Sequence, residues 1–232
     1  EMNVDQEEVA HFDGLAEEWW DPHGELRTLH HLNPARLGYV EHRSGGVDGC
    51  RVVDVGCGGG ILTEALARAG AHATGIDLSE QGLAAGRRHA LETRTRVEYE
   101  CVSAEDFASR QAGTFDIVTC LELLEHVPDP ASTVAACATL VRSGGHVFFS
   151  TINRTVSAYL GAVVGAEYVL RLLPRGTHDY QRFIRPSELD DTARALGLCL
   201  QDVAGLHYNP LTRVARVTRD PRINYLAHFT RN

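Results

Sequence analysis

The chain contains no lysine: its 22 basic side chains are all arginine, and they are scattered along 232 residues without forming a block. Against 31 Asp and Glu they leave a formal net charge of -9 and a pI near 5.7, a balance that argues against a nucleic-acid partner. C-x-x-C pairs are absent as well. The six cysteines (Cys50, Cys57, Cys101, Cys120, Cys137 and Cys199) stand singly, mostly inside apolar runs. That excludes a zinc knuckle or a disulfide frame and fits reduced thiols. No uninterrupted apolar run approaches the ~20 residues of a membrane span. The first residues carry acids (Glu1, Asp5, Glu7, Glu8), unlike a secretory signal. Internal repeats and low-complexity linkers are missing too, so one soluble, cytoplasmic domain over residues 1–232 is expected.

Glycine, by contrast, is concentrated in one place. Residues 51–60 read RVVDVGCGGG, a β-branched apolar run, an acid and then glycines at 56, 58, 59 and 60. Such a run reads as a buried parallel strand that breaks into a tight turn. Residues 61–69 (ILTEALARA) carry apolar side chains at helical spacing and stop at Gly70. Glycines suit the turn because φ can be positive there and because a missing Cβ lets a ligand approach the main chain. The turn opens a helix N-terminus, where free N–H groups favour a carboxylate or phosphate. Spacing narrows the ligand: a dinucleotide turn needs a small third residue in G-x-G-x-x-G/A, and Ile61 stands at that place. The pattern present is D-x-G-x-G-x-G, formed by Asp54, Gly56, Gly58 and Gly60. It resembles motif I of the class I S-adenosylmethionine (SAM) methyltransferases, in which the turn approaches the methionine moiety of the cofactor.

The rest of the chain falls into place around that turn. Residues 6–20 space Val9, Phe12, Leu15, Ala16, Trp19 and Trp20 as one amphipathic helix, ended by Asp21-Pro22. A second helix is expected to begin at Asn33-Pro34 and stop before Gly45-Gly46. These two helices either cover the cofactor or substrate or pack on the sheet edge. Residues 72–77 form a second strand ending in Asp77, about 20 residues past the glycine turn, the place for an acid that takes both ribose hydroxyls. The competing role for Asp77, capping the next helix, can be filled by Ser79. Residues 97–101 alternate as a third strand and 115–120 form a buried fourth. The fourth runs into Leu121, Glu122, Glu125 and His126 at the strand ends, where open α/β sheets hold their ligands. Residues 143–151 supply a fifth strand, 187–196 a capped helix, and 198–206, 214–217 and 225–229 the strands that finish the sheet.

Several segments together (WWDPHGELRTLHHLNPARLGYV, VVDVGCGGGILTEALARAG, TGIDLSE, VTCLELLEHVPDP, FFSTINR, AVVGAEYVLRLLPRGTHDYQRFIRPSEL and GLHYNP) resemble the ubiquinone-biosynthesis O-methyltransferase family over nearly the whole chain. That family methylates hydroxyls on polyprenylated phenol and demethylubiquinol rings. The resemblance implies an α/β, Rossmann-like fold with a seven-stranded, mostly parallel sheet flanked by helices. It also implies an N-terminal helical cover over residues 1–47 and a substrate or lid insertion over 153–186. By similarity, SAM contacts fall on Arg36, Gly56, Gly58, Asp77 and Leu121. An acid meeting the adenine amino group falls on Glu105 or Asp106. A guanidinium at Arg36 could hold the cofactor carboxylate.

The reaction implied is displacement by a phenolate oxygen on the sulfonium methyl, with alignment in a dry pocket supplying much of the acceleration. A phenol titrates near 10, so at pH 7 only about one in a thousand is ionised. Stabilising the phenolate could therefore supply up to about 4 kcal/mol. A general base could do this, with His126, His178 and His207 as candidates. A divalent cation such as Mg²⁺ could do it instead, held by Glu122, Glu125 and His126. The chain lacks the [NDS]-P-P-[YF] motif of many N-methyltransferases, which favours an oxygen or carbon acceptor. Residues 154–174 space apolar side chains at three and four between arginines. A lid that receives the prenyl tail and meets an anionic membrane surface is one reading of that stripe. A peripheral association with the membrane and with other enzymes of ubiquinone synthesis follows from the resemblance. The alternatives are a methyltransferase of another small catechol or acid, a SAM-binding regulator, and a nucleotide-dependent oxidoreductase.

Overall fold

The computed structural model describes residues 3–154 and 183–232. The insertion read at 153–186, with its apolar stripe and His178, lies mostly outside the described residues. Eight strands form one sheet: β1 (Arg51–Val55), β2 (His72–Asp77), β3 (Glu98–Cys101), β4 (Phe115–Leu121), β5 (Val141–Ile152), β6 (Leu198–Asn209), β7 (Val214–Thr218) and β8 (Asn224–Arg231). Their order is β3-β2-β1-β4-β5-β8-β6-β7. The first five run parallel, and β8 is antiparallel to both β5 and β6. The order reverses between β1 and β4, so the carboxyl ends of these two strands open the ligand crevice. The seven-strand expectation is corrected to eight. β6 is long enough to pair with β8 and then, through residues 205–209, with β7 as a hairpin. Asn209 closes that hairpin, its Oδ1 accepting from the N–H of Leu211 (2.9 Å) and Thr212 (3.2 Å).

Alternation along the central strands divides the core into two faces. Val53, Val55, Val118 and Phe149 meet α5 (Ala104–Arg110), α6 (Pro130–Leu140) and α7 (Pro186–Ala195). Val52, Ile117 and Phe148 meet α2 (Arg27–Ser44) and α3 (Ile61–Arg68). Burial on both faces is what makes these strands read as near-continuous apolar runs. α4 (Glu80–Thr93) is capped by Ser79, whose hydroxyl accepts from the Gly82 N–H.

The two N-terminal helices differ from their reading. The first, α1 (Gln6–Gly14), is followed by a single 3₁₀ turn, Ala16–Glu18, so one helix over 6–20 is not formed. α1 fully buries none of its side chains, and the burial that organises this stretch lies beyond it, at Trp19. α2 begins at Arg27 and runs through Pro34, where the sequence places a start. Proline removes one helix bond there. Neighbouring tertiary bonds hold the stretch in place: His30 Nε2 to the Trp19 carbonyl (2.7 Å) and Asn33 Nδ2 to the Ile61 carbonyl (3.2 Å). Gly45, at φ 81°, ends the helix as expected. Among the described residues no helix is long and apolar enough to cross a membrane.

Candidate functional site

β1 delivers the glycine turn to the crevice, and its conformation needs glycine: Gly56, Gly58 and Gly60 have φ of 72°, 54° and 79°. Asp54, at the end of β1, is buried and accepts from the hydroxyls of Thr63 and Thr119, both at 2.7 Å. Burial pushes its carboxyl up to about 6 against those two bonds. Asp77, at the end of β2, ties two loops together. One carboxylate oxygen accepts from the Gly58 N–H and the other from the Ser79 N–H, each at 2.8 Å. Burial raises its pKa, and the two N–H bonds oppose that rise.

These residues line one wall of a cavity of about 570 Å³, a size typical of small-molecule sites. Gly56, Gly58, Asp77, Glu105 and Leu121 line it together with Arg36. Of the two acids offered for the adenine amino group, Glu105 lines the cavity, whereas Asp106 is exposed and does not. Glu105 is nevertheless engaged, accepting from Asn3 Nδ2 (3.0 Å) and Ser132 Oγ (2.8 Å). Arg36 is buried and forms an ion pair with Glu122. Arg36 Nε and Glu122 Oε1 are buried without a hydrogen-bond partner among the described residues. Glu122 has φ 55°, a backbone conformation uncommon outside glycine, at the mouth of β4.

The cavity is also lined by Glu125, His126, His207, Tyr208 and Asn224. Glu125 is buried and accepts from Thr151 Oγ1 (2.9 Å). His126 Nδ1 meets Glu8 Oε2 at 3.1 Å, and its ring packs edge-on against Phe12 at 5.5 Å. Burial by itself would lower the pKa of His126. The Glu8 bond and the charges of Glu125, Glu8 and Glu122 outweigh it, so the imidazole titrates above its ordinary range. His207 Nε2 meets the Asp220 carbonyl at 3.1 Å. As a metal set, Glu122, Glu125 and His126 do not converge: Arg36, Thr151 and Glu8 respectively engage them. Among the described residues no three His, Cys, Asp or Glu side chains form a group able to hold a metal ion. A divalent cation would have to displace those contacts, so the expected donor set is not preformed.

The N-terminal segment closes the cavity, with Val4, Glu8, Phe12 and Trp19 among its lining residues. It is fastened at several points. Asn3 bonds the Asp129 backbone on both sides (2.8 and 2.7 Å), and Asp13 accepts from Ser79 Oγ (2.6 Å). Trp20 donates to the Gly59 carbonyl (2.9 Å) and stacks on His89 with ring centroids 3.4 Å apart. His89 is itself held by buried Glu64 at 2.7 Å. Trp19 lies on the glycine turn: a Cβ added at Gly58 would come within 2.2 Å of its ring, and one at Gly59 within 2.5 Å. In the sequence these tryptophans read as part of an apolar stripe and Glu8 as one acid among several, with no site role for either, and Asn3 carries no signal at all. The adjacent pair Trp19-Trp20 was the one available signal.

The comparisons agree with this geometry. Residues 25–203 match a family model described as a methyltransferase domain. The ubiquinone biosynthesis O-methyltransferase of Aromatoleum aromaticum is 58% identical over 227 residues, covering 98% of this chain and 97% of that protein. The protein of the same name from Acinetobacter baylyi is 54% identical over 229 residues, covering 98% and 96%. Two solved structures share the fold. Magnesium protoporphyrin IX methyltransferase from Synechocystis, with bound SAH, has a TM-score of 0.69 at 19% identity, covering 96% of this chain and 95% of that one. A SAM-dependent methyltransferase from Thermotoga maritima, titled a possible histamine N-methyltransferase, has a TM-score of 0.68 at 16% identity, covering 97% and 100%.

Proposed function

The chain belongs to the ubiquinone biosynthesis O-methyltransferase family, and on that premise we propose that its cavity holds SAM and a prenylated phenol side by side. The protein is a SAM-dependent O-methyltransferase, and the substrates this reading assigns are 3-demethylubiquinol and 2-polyprenyl-6-hydroxyphenol. The observation that carries it is one continuous cavity. Its lining includes the glycine turn, Asp77 and Glu105 together with Glu125, His126 and His207. Asp77 has carboxylate lone pairs left for the ribose hydroxyls, and this reading gives the adenine amino group to Glu105, which lines the same cavity. Arg36 Nε and Glu122 Oε1, a buried donor and a buried acceptor without partners, suit the carboxylate and ammonium of the amino-acid end.

The phenol oxygen forms a bond to the methyl carbon while the carbon–sulfur bond breaks and the sulfonium becomes a neutral thioether. The phenol's proton must leave, and of the candidate bases that line the cavity, His126 and His207, this reading gives it to His126. With Glu8 accepting from Nδ1–H, the Nε2 lone pair is left to take it. Because Glu8 belongs to the N-terminal cover, closing the cover also orients the base. A divalent cation would supply a second way to acidify the hydroxyl, and its effect is read directly by exhaustive EDTA treatment followed by Mg²⁺. Turnover that is lost and then restored would assign the step to a metal that displaces the Arg36 and Glu8 contacts. Unchanged turnover leaves it with the imidazole.

The β6–β7 hairpin supports a peripheral membrane role. Leu211, in the turn, is 93% exposed, and Val214 and Val217 on the following strand are exposed too. Arg213, Arg216 and Arg219 are exposed and form no ion pair among the described residues. His207 and Tyr208, on the strand leading to the turn, and Pro210, in the turn itself, line the cavity, so a bilayer met by the turn would lie next to the substrate's entry. The reading as a whole is tested by methyl transfer from SAM to a prenylated and an unprenylated catechol, with products identified by mass spectrometry. Strong preference for the prenylated acceptor is expected, and equal use of both would move the substrate to the soluble catechols.

A further inference from the structure

Trp19 is 6% exposed and lines the cavity, yet its Nε1–H is buried without an acceptor among the described residues. A buried indole N–H ordinarily finds a partner. The ring cannot easily swing to find one. It lies against Gly58 and Gly59, its carbonyl accepts from His30, and the next residue is bound to the Gly59 carbonyl and stacked on His89. Two further cavity-lining groups from the same part of the chain, Thr28 Oγ1 and Arg36 Nε, are likewise buried and unpartnered. Trp and Arg can only donate, and Thr can donate. The unmatched acceptors on the same lining are Glu122 Oε1 and Asn224 Oδ1, whereas the three donors all lie within residues 19–36 and suit an acceptor-rich, anionic group. Of the groups SAM carries, only the carboxylate of the amino-acid end is an anion. The acids Asp77 and Glu105 are assigned to the nucleoside on the reading above.

We propose that Trp19 is a cofactor-binding residue whose indole N–H donates to the SAM carboxylate beside Arg36. The N-terminal cover is then part of the cofactor site as well as a wall around it. This rests on the SAM reading above, and the test keeps the two apart. Calorimetry would compare the parent with Trp19→Phe, which keeps most of the ring and removes the donor. The two ligands are S-adenosylhomocysteine and 5′-methylthioadenosine, which has the nucleoside and sulfur without the amino-acid end. Loss of one bond to a charged acceptor should weaken S-adenosylhomocysteine roughly ten- to hundredfold and leave methylthioadenosine unchanged. Equal weakening of both ligands, or of neither, overturns the proposal, whereas a parent that binds neither overturns the SAM reading itself. Because Trp19 and Trp20 are the only tryptophans in the chain, Trp20→Phe isolates Trp19 emission without touching the donor. S-adenosylhomocysteine should change that emission and methylthioadenosine should change it less. Identical responses to the two ligands would count against the assignment.

Discussion

Asp77 supports the backbone of two loops and, on the present reading, the ribose. That double duty makes Asp77→Asn more informative than an alanine. The amide keeps the side-chain volume but loses the charge and turns an N–H donor toward the N–H of Gly58 or Ser79. SAM should bind at least about tenfold more weakly, since a hydrogen bond to a charged acceptor contributes ~1.5–3 kcal/mol. Calorimetric affinity within about threefold of the parent would remove Asp77 from the ribose site. Glu8 gives a prediction with a sign. It raises the His126 pKa, and the base acts only when neutral, so the rate should fall as pH drops through that raised value. In Glu8→Gln the acid limb of the kcat profile should move to lower pH while the plateau falls, because the ring loses its orienting partner. An acid limb that stays where it was would detach His126 from the proton transfer.

Between the residue and the molecule stand the glycine turn with its tryptophan cover and the β5–β8 strand pair. Gly58→Ala places a methyl group in the left-handed region, costing about 1–2 kcal/mol, and drives it into the Trp19 ring. A drop of about 2 kcal/mol or more in urea stability is expected, with tryptophan emission shifted to the red as Trp19 is expelled. Unchanged emission would show that the ring is not seated there. Across β5 and β8, His146 Nδ1 meets His228 Nε2 at 2.9 Å, and His228 lies flat against Phe148. Burial, then the charges of His146 and Arg43, depress His228 to about 4 from its ordinary 6.5. The folded state thus binds this proton less tightly than the unfolded chain does. The stability that neutral His228 contributes is present above 6.5 and is lost as pH falls toward 4. Asp54 acts in the opposite sense. Its folded pKa is raised to about 6, so its contribution is lost as pH rises through that value. The His228 effect is therefore read as the difference between the parent and His228→Gln in urea midpoints at pH 7.5 and 5. The parent should lose more on acidification, and parallel losses would contradict the assignment.

At the scale of the whole molecule, a net charge of -9 opposes an anionic bilayer, so any attachment must be local. Three arginines on the β6–β7 hairpin would each contribute about 1 kcal/mol near such a surface. Leu211, Val214 and Val217 add apolar area. The parent should co-sediment with vesicles containing anionic lipid, less so at high salt. Leu211→Glu combined with Val217→Glu should stay in the supernatant while remaining folded and active on a soluble acceptor. A parent that never pellets, or a double variant that pellets equally, would remove the hairpin from the membrane reading.

The sequence by itself determined the local chemistry of this protein. A β-branched run broken by four glycines can only be a strand entering a turn, because no other residue adopts those φ values cheaply. From there, spacing along regular elements carried Asp77 and Leu121 to the cavity wall and excluded a dinucleotide turn at Ile61. What tertiary structure decided depended on contacts between residues far apart in the chain, which no local period records. α2 runs through Pro34 because the Trp19 and Ile61 carbonyls hold it. Glu105 rather than Asp106 reaches the cavity because helix phase and the Asn3 contact put it there. Residues 198–206, 214–217 and 225–229 read as strands, but only pairing shows that all three join one sheet, β6 bonding β8 and then β7. Glu122, Glu125 and His126, adjacent in sequence, are drawn to three different partners. Trp19 becomes part of the site only when the N-terminal segment folds back over glycines about 40 residues away, which lack the side chains that would keep it off.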